Sequence, residues 1–334
     1  KPPSATGQEP LAKWRNFFVH FNSKKIMLVR RINWLRIILL FFLALYHFSL
    51  RAQPNRQFVM LDMLDSAFQV NNYTLNTREL YGTDHTLELY NVHIGAALVL
   101  FTVLPDFAGH ESWERVDTAT LKGTIVQYDS FHRAMLAKYS EFYNTQKSMN
   151  YALIKKEGEE FFVSRHCLFE YFNLREYPPV IHAPYGTVNI GQSPLSIREM
   201  REALGERDLR WLYPTDIRNH GLLSDQPMIR REYLSRILEI NGEMAYQFWS
   251  FTDWNVSDGF NYHRGADRFI YLPGKGIIGG SYDFYFYFRA KLDFTPRSAR
   301  YTISMDEWFQ NILDEKVMLA EELKDTNSEG VQIP

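Results

Sequence analysis

The stretch RRINWLRIILLFFLALYHFSLRAQPNR, residues 30–56, constrains this chain more than any other. From Ile37 to Leu50 fourteen residues carry no formal charge when His47 is neutral. As a helix they cover roughly 21 Å, short of a hydrocarbon core of about 30 Å. Extended back to Ile32, the run covers roughly 28 Å and takes in Arg36, whose stem can snorkel toward headgroups. Trp34 at one boundary and Tyr46 at the other suit an interfacial belt. The reading is a transmembrane helix over 32–50; the competing reading is a helix buried on all sides within a large domain.

The flanking charge favours the first. Between Lys13 and Arg56 there are nine Lys or Arg and no Asp or Glu. Lys24, Lys25, Arg30, Arg31 and Arg36 cluster ahead of the apolar run, as headgroup-binding residues on anionic phospholipid would. In WRNFFVHF, Trp14, Phe17, Phe18 and Phe21 recur at i, i+3, i+4 and i+7, so one helical face carries four rings suited to the membrane surface. Cation bias places the N-terminus on the cytoplasmic or matrix side.

A second apolar run, VHIGAALVLFTVL at 92–104, ends at Pro105 and is too short to span as a helix. It reads as a buried helix or strand, or a re-entrant piece. Residues 1–12 hold three prolines and form an extended arm; 13–31 form a basic interfacial segment; 51–180 form a helical region around the 92–104 run. Helical spacing of Phe131, Met135, Leu136, Tyr139, Phe142 and Tyr143 extends a helix over about 130–162. The proline-rich 177–194 reads as a loop or hinge, and 181–303 as a mixed α+β region. Within it, Asp225 before Pro227 opens a helix toward Phe248, and alternation in SYDFYFYFRAKLDF, 281–294, gives a strand. Two capping boxes, Ser196–Glu199 and Ser304–Glu307, start helices, the second running to about Lys324 within a C-terminal helix and acidic tail, 304–334. The fold class expected is α+β, mainly helical, with a small antiparallel sheet.

Reactive constellations are weak. PGKGIIGG, 273–280, lacks the Ser or Thr that a phosphate loop needs after Lys275. His110, Glu111 and Glu114 lack the second histidine of a zinc helix. Cys167, the lone cysteine, lies beside His166 in an apolar strand pattern and reads as a buried small hydrophobe. Asp253, Asp258, His263 and Asp267 cluster in an aromatic loop and are the one place where a polar site could assemble. Asn72 and Asn255 match the glycosylation pattern. Catalytic, metal and cofactor assignments are therefore none, and a net charge of −2 argues against nucleic acid.

The expectation is a non-catalytic, membrane-anchored accessory subunit of a multi-subunit membrane complex, with other subunits and anionic phospholipids as partners. A start at Lys1 instead of Met fits a removed leader, and with the basic front it points to the mitochondrial inner membrane, in a respiratory complex or ATP synthase. The alternatives are a membrane-bound hydrolase or transferase using the 253–267 loop, and a bacterial envelope protein with one anchor and a periplasmic domain.

Overall fold

The apolar run at 92–104 is a pair of strands that turn back on each other at Gly95–Ala96, and around them is built a mostly β structure. A computed structural model describes residues 56–121, 123–140, 147–175, 186–204, 232–251, 266–287 and 296–324. All lie in one unit, Asn55–Pro334. Among the described residues there are three sheets.

The first sheet has the order β1 (Gln57–Met60), β7 (Tyr151–Glu157), β8 (Glu160–Ser164), β5 (Trp113–Val116), with β1 parallel to β7. The second runs β10 (Thr187–Asn189), β9 (His166–Arg175), β4 (Ala97–Leu104), β3 (Thr86–Ile94), β2 (Gln69–Asn76), and the short β6 (Lys147–Ser148) also pairs β9. The third is antiparallel throughout: β11 (Glu232–Ile240), β12 (Glu243–Phe251), β13 (Ala266–Leu272), β14 (Gly276–Gly280), β15 (Met318–Leu319).

The second sheet is the middle layer, and β4 explains why. All eight of its residues are buried. Val99, Phe101 and Val103 join a core with Val59 and Leu153 of the first sheet, while Leu98, Leu100 and Leu104 join a core with Leu234, Phe248 and Phe269 of the third. A strand covered on both faces has no polar side to alternate with, so its sequence reads as a continuous apolar run. Each such Leu or Phe contributes about 1.5–3 kcal/mol through burial.

Helices fill the margins. α1 (Leu61–Ala67) and α3 (Tyr128–Ser140) close the first core through Leu61, Leu64, Phe131 and Met135. α2 (Arg78–Tyr81) and α5 (Asp283–Phe286) close the second. α4 (Ile197–Leu204) and α6 (Met305–Leu313) pack Ile197, Trp308 and Ile312 on Tyr233 and Trp249. The Ser196 capping box forms, with Ser196 N–H donating to Glu199 Oε2 at 2.7 Å and Glu199 N–H donating to Ser196 Oγ at 3.2 Å, and Ser304 caps its helix through Glu307 N–H, which donates to Ser304 Oγ at 3.1 Å. Arg56 Nη2 donates to the carbonyls of Ser164 and Arg165, both at 2.7 Å, and so ties the residue before β1 to the β8–β9 corner.

Several expectations are corrected here. The chain is not mainly helical. Of the helix expected over 130–162, the described part is helical only as far as Ser140, and Lys147–Ser164 is strands β6, β7 and β8. Of the helix expected from Asp225 to Phe248, the described part is the β11–β12 hairpin. The strand expected over 281–294 begins instead as the helical turn α5, because Tyr282 N–H donates to the Tyr81 hydroxyl at 2.7 Å and starts a turn that the core encloses. The last helix ends at Leu313, not near Lys324, since Glu315 turns to φ +54° and leads into β15. The 177–194 loop contains β10. No helix among the described residues is long and apolar enough to cross a membrane. The reading as an integral, mitochondrial inner-membrane protein is corrected accordingly; the segment 32–50 on which it rested lies outside the described residues.

Candidate functional site

Charged residues interrupt apolar strands at three inward positions, and the fold brings them to the seam between the second and third sheets. β6 pairs β9 with Lys147 directly opposite Glu170. On β9 the even positions Leu168 and Phe172 face the third sheet, so Glu170 faces it too. Asp267 of β13 meets them from the other side. Lys147 Nζ lies 2.8 Å from Glu170 Oε1 and 2.9 Å from Asp267 Oδ2, with the side chains only 10%, 7% and 4% exposed. Burial works to strip the Lys147 ammonium of its proton, but Asp267 and Glu170 outweigh it and hold the lysine pKa above its ordinary value. Burial raises the Glu170 carboxyl against the pull of Lys147. The Tyr282 hydroxyl lies 3.0 Å from Thr102 Oγ1, and burial, then Glu170, keeps it a neutral phenol.

A second buried ion pair starts from the next residue of β13, on the opposite face of that strand. Arg268 Nη1 donates to Asp283 Oδ2 at 2.7 Å and to the Ala266 carbonyl at 2.8 Å, and Nε donates to the Lys316 carbonyl at 3.1 Å. Asp283 Oδ1 accepts from the Tyr81 hydroxyl at 2.7 Å. Glu232, the first residue of β11, is 4% exposed and accepts the Gly186 N–H on both oxygens, at 3.0 and 2.9 Å. Burial pushes its carboxyl up to about 8, against the pull of its own backbone N–H, of Lys147 and of the Gly186 and Thr187 N–H groups. Further along, the Glu315 carboxylate accepts from Ile197 N–H and the Ser235 hydroxyl, and its backbone carbonyl accepts from Gln247 Nε2, pinning α4 and the end of α6 to the third sheet.

This arrangement fixes sheets together more readily than it turns over a substrate. A lysine held as ammonium between two carboxylates is neither a nucleophile nor a Schiff-base former. Each acid that could act as a base is already engaged with a cation or with backbone N–H groups.

Of the polar loop singled out by sequence, Asp267 joins this cluster; Asp253, Asp258 and His263 lie outside the described residues, as does Asn255. So do the proposed headgroup ligands Lys24, Lys25, Arg30, Arg31 and Arg36 and the interface anchors Trp14, Phe17, Phe18, Phe21, Trp34 and Tyr46. Cys167 is buried and its thiol is pushed up to about 12 by burial. His166 projects to the opposite face, its Nε2 3.8 Å from Asp106 Oδ1, so the two adjacent residues form no catalytic pair. His110 Nδ1 lies 3.0 Å from Asp106 Oδ2 and Glu114 pairs Arg165 at 2.7 Å; no group of three metal-ligating side chains occurs among the described residues. PGKGIIGG is a hairpin turn followed by β14. Its Gly274 carbonyl accepts from Gln69 Nε2 at 2.9 Å and its Lys275 carbonyl from Asn71 Nδ2 at 3.2 Å, while Asn91 bonds both backbone groups of Ile277. That loop turns its carbonyls to the protein, unlike one that cradles phosphate with N–H groups. Asn72 is exposed on β2.

Sequence reasoning missed Lys147, Glu170, Glu232, Arg268 and Asp283. The signal was present for two of them: a lone Glu in HCLFEYFNL and a lone Arg in ADRFIYL each interrupt a run too apolar to have a solvent face. Compared with known protein families, curated proteins and solved structures, the chain matches none.

Proposed function

We propose that this chain is a non-catalytic structural subunit, an accessory component that serves a larger assembly by holding fixed surfaces for other proteins. The observation that carries the reading is the placement of Lys147 between Glu170 and Asp267 inside the seam. There the ionic chemistry is directed inward, at registering one sheet on another, and removing the lysine leaves two buried carboxyls without the cation between them. Such groups suit a body that must keep one shape. Support also comes from the β11–β12 hairpin, where Ile237 and Met244 are 46% and 52% exposed near its Asn241–Gly242 turn. Exposed large apolar side chains close together suit contact with another protein.

Native electrophoresis and cross-linking mass spectrometry of the chain from its own cells test the reading. Migration within a larger species, with cross-links from the β11–β12 hairpin, is the expected result. Migration at the mass of the chain alone counts against it. The enzymatic alternative has one point in its favour, since Asp267, from the loop singled out by sequence, does lie beside a lysine. It predicts a turnover lost on separate replacement of Asp253, Asp258 and His263 without loss of assembly.

A further inference from the structure

The third sheet ends on an edge that the chain covers only in part. β11 pairs β12 on one side. On the other its first residues are covered: Leu195 N–H donates to the Leu234 carbonyl at 2.7 Å and Gln192 Nε2 to the Glu232 carbonyl at 3.2 Å. Past the bulge between Leu234 and Arg236 the cover stops, and among the described residues no strand or loop pairs with 236–240 from that side. The two-residue Asn241–Gly242 turn makes Ile240 and Glu243 a hydrogen-bonded pair, so Leu238–Ala245 and Arg236–Gln247 are hydrogen-bonded pairs as well. Ile237 and Glu239 alternate with them and therefore point their N–H and C=O groups away from β12; both side chains are exposed.

Other edges are dressed by the chain itself. Phe58 of β1 exchanges backbone bonds with Thr124 and Val126, and Thr74 of β2 donates its N–H to Glu322. The open part of β11 carries neither proline nor lysine, the usual guards of a bare edge. Its one cation, Arg236, reaches back to the Asp314 carbonyl at 3.3 Å and to Glu315 at 3.5 Å.

We propose that this edge joins two copies of the chain, β11 against β11, antiparallel about a two-fold axis at Leu238. The inference deepens the reading of the β11–β12 hairpin as a contact surface and rests on it; the identity of the partner is new. The open window is its own complement. Setting the outward residues of one copy against those of the other pairs Ile237 with Glu239 and Glu239 with Ile237, each exchanging both N–H···O bonds with its mate, and places Leu238 opposite Leu238. This register fills the window from Arg236 to Ile240, which Leu195 bounds at one end and the turn at the other. No like charges face each other: Glu239 meets Ile237, and Arg236 meets Ile240. A two-fold contact through one surface also closes on itself, so pairing stops at two copies.

Disulfide trapping in the full chain reads the register. The lone native cysteine, Cys167, is buried, so an introduced one reports alone. Leu238→Cys sets its two copies about 4.5 Å apart between Cα atoms, within disulfide reach, whereas Met244→Cys lies three strand spacings, about 14 Å, from its copy. After mild oxidation of cell extracts, a non-reducing gel should show L238C reaching twice the chain mass about tenfold faster than M244C. Chance collision gives the opposite order, because Met244 is exposed and Leu238 half-buried. Ile237→Cys and Glu239→Cys, co-expressed with tags of different size, should form a mixed dimer and decide the register should L238C not fold. M244C joining as fast as L238C, or no dimer from either L238C or the mixed pair, overturns the two-fold edge. A hairpin that cross-links to a different protein and never to itself overturns this inference alone and leaves the contact-surface reading standing; one that cross-links to nothing counts against both.

Discussion

Replacing Lys147 with Met tests the logic of the whole seam. The ammonium sits 2.8 Å from Glu170 and 2.9 Å from Asp267. At an effective dielectric of about 20 each contact represents roughly 6 kcal/mol of gross attraction. Desolvation of three buried groups cancels most of it, so the intact cluster adds little net stability. Its removal is different. Lys147→Met keeps the volume of the stem but leaves two carboxyls facing each other with no cation between them, and the expected cost is about 3–5 kcal/mol. That is a large share of the 5–15 kcal/mol by which domains are ordinarily stable. Urea unfolding of the wild type and K147M at pH 7, followed by circular dichroism, measures it. The deficit should shrink as pH falls, because the Glu170 carboxyl is already raised by burial and more so without its lysine: a folded pKa above the unfolded one gives stability at low pH that is lost as pH rises. The triple variant K147M/E170Q/D267N should recover most of the loss, since neutral groups replace the stranded charges. A loss below about 1 kcal/mol for K147M, the value expected of a surface lysine, would refute the argument.

Three other expectations rest on separate features. Gly276 has φ +95° and a Cβ there would run into the Asn91 side chain, so Gly276→Ala should lower stability by about 2 kcal/mol or more, read as a drop in Tm; an unchanged Tm counts against this packing. Cys167 should resist a thiol-specific reagent in the native chain at pH 7.5 and react fully in denaturant, because its thiol is buried and pushed up to about 12; stoichiometric native labelling would contradict its placement. Ser304→Ala should cost about 1 kcal/mol in urea unfolding by leaving the Glu307 N–H without its cap, and Ser304→Asp should restore it.

Local chemistry was the legible part of this fold. Both N-caps were visible because each depends on residues three apart, and both serines cap helices where the sequence placed them, with the reciprocal bond of a full box at Ser196. Cys167 was readable as buried from its apolar neighbours. Strand pairing was less so, although its punctuation was present. Asn241–Gly242, both at positive φ, and the two-residue turns at Gly95–Ala96 and Gly158–Glu159 join β11 to β12, β3 to β4 and β7 to β8. An Asn-Gly step between apolar segments is the strongest short hairpin signal, and it outweighs the faint helical period around it. The 281–294 segment failed for the opposite reason. Its period-two alternation was real, but Tyr81 and Arg268, remote in sequence, impose a helical turn on Asp283–Phe286 through bonds no local pattern encodes. The candidate cluster was illegible as a cluster because Lys147, Glu170 and Asp267 come together only through two sheet registers, β6 on β9 and β13 against that layer.

The middle-layer position of β4 has a further effect, on how the chain tolerates change. Leu100 and Phe101 are neighbours along the backbone yet belong to different cores. Damage at one is felt among the side chains of the third sheet, damage at the other beneath α3 and the first sheet. Adjacent substitutions in this strand therefore behave as remote sites do, each drawing on its own reserve, while residues far apart in sequence, such as Leu100 and Phe269, share a common fate.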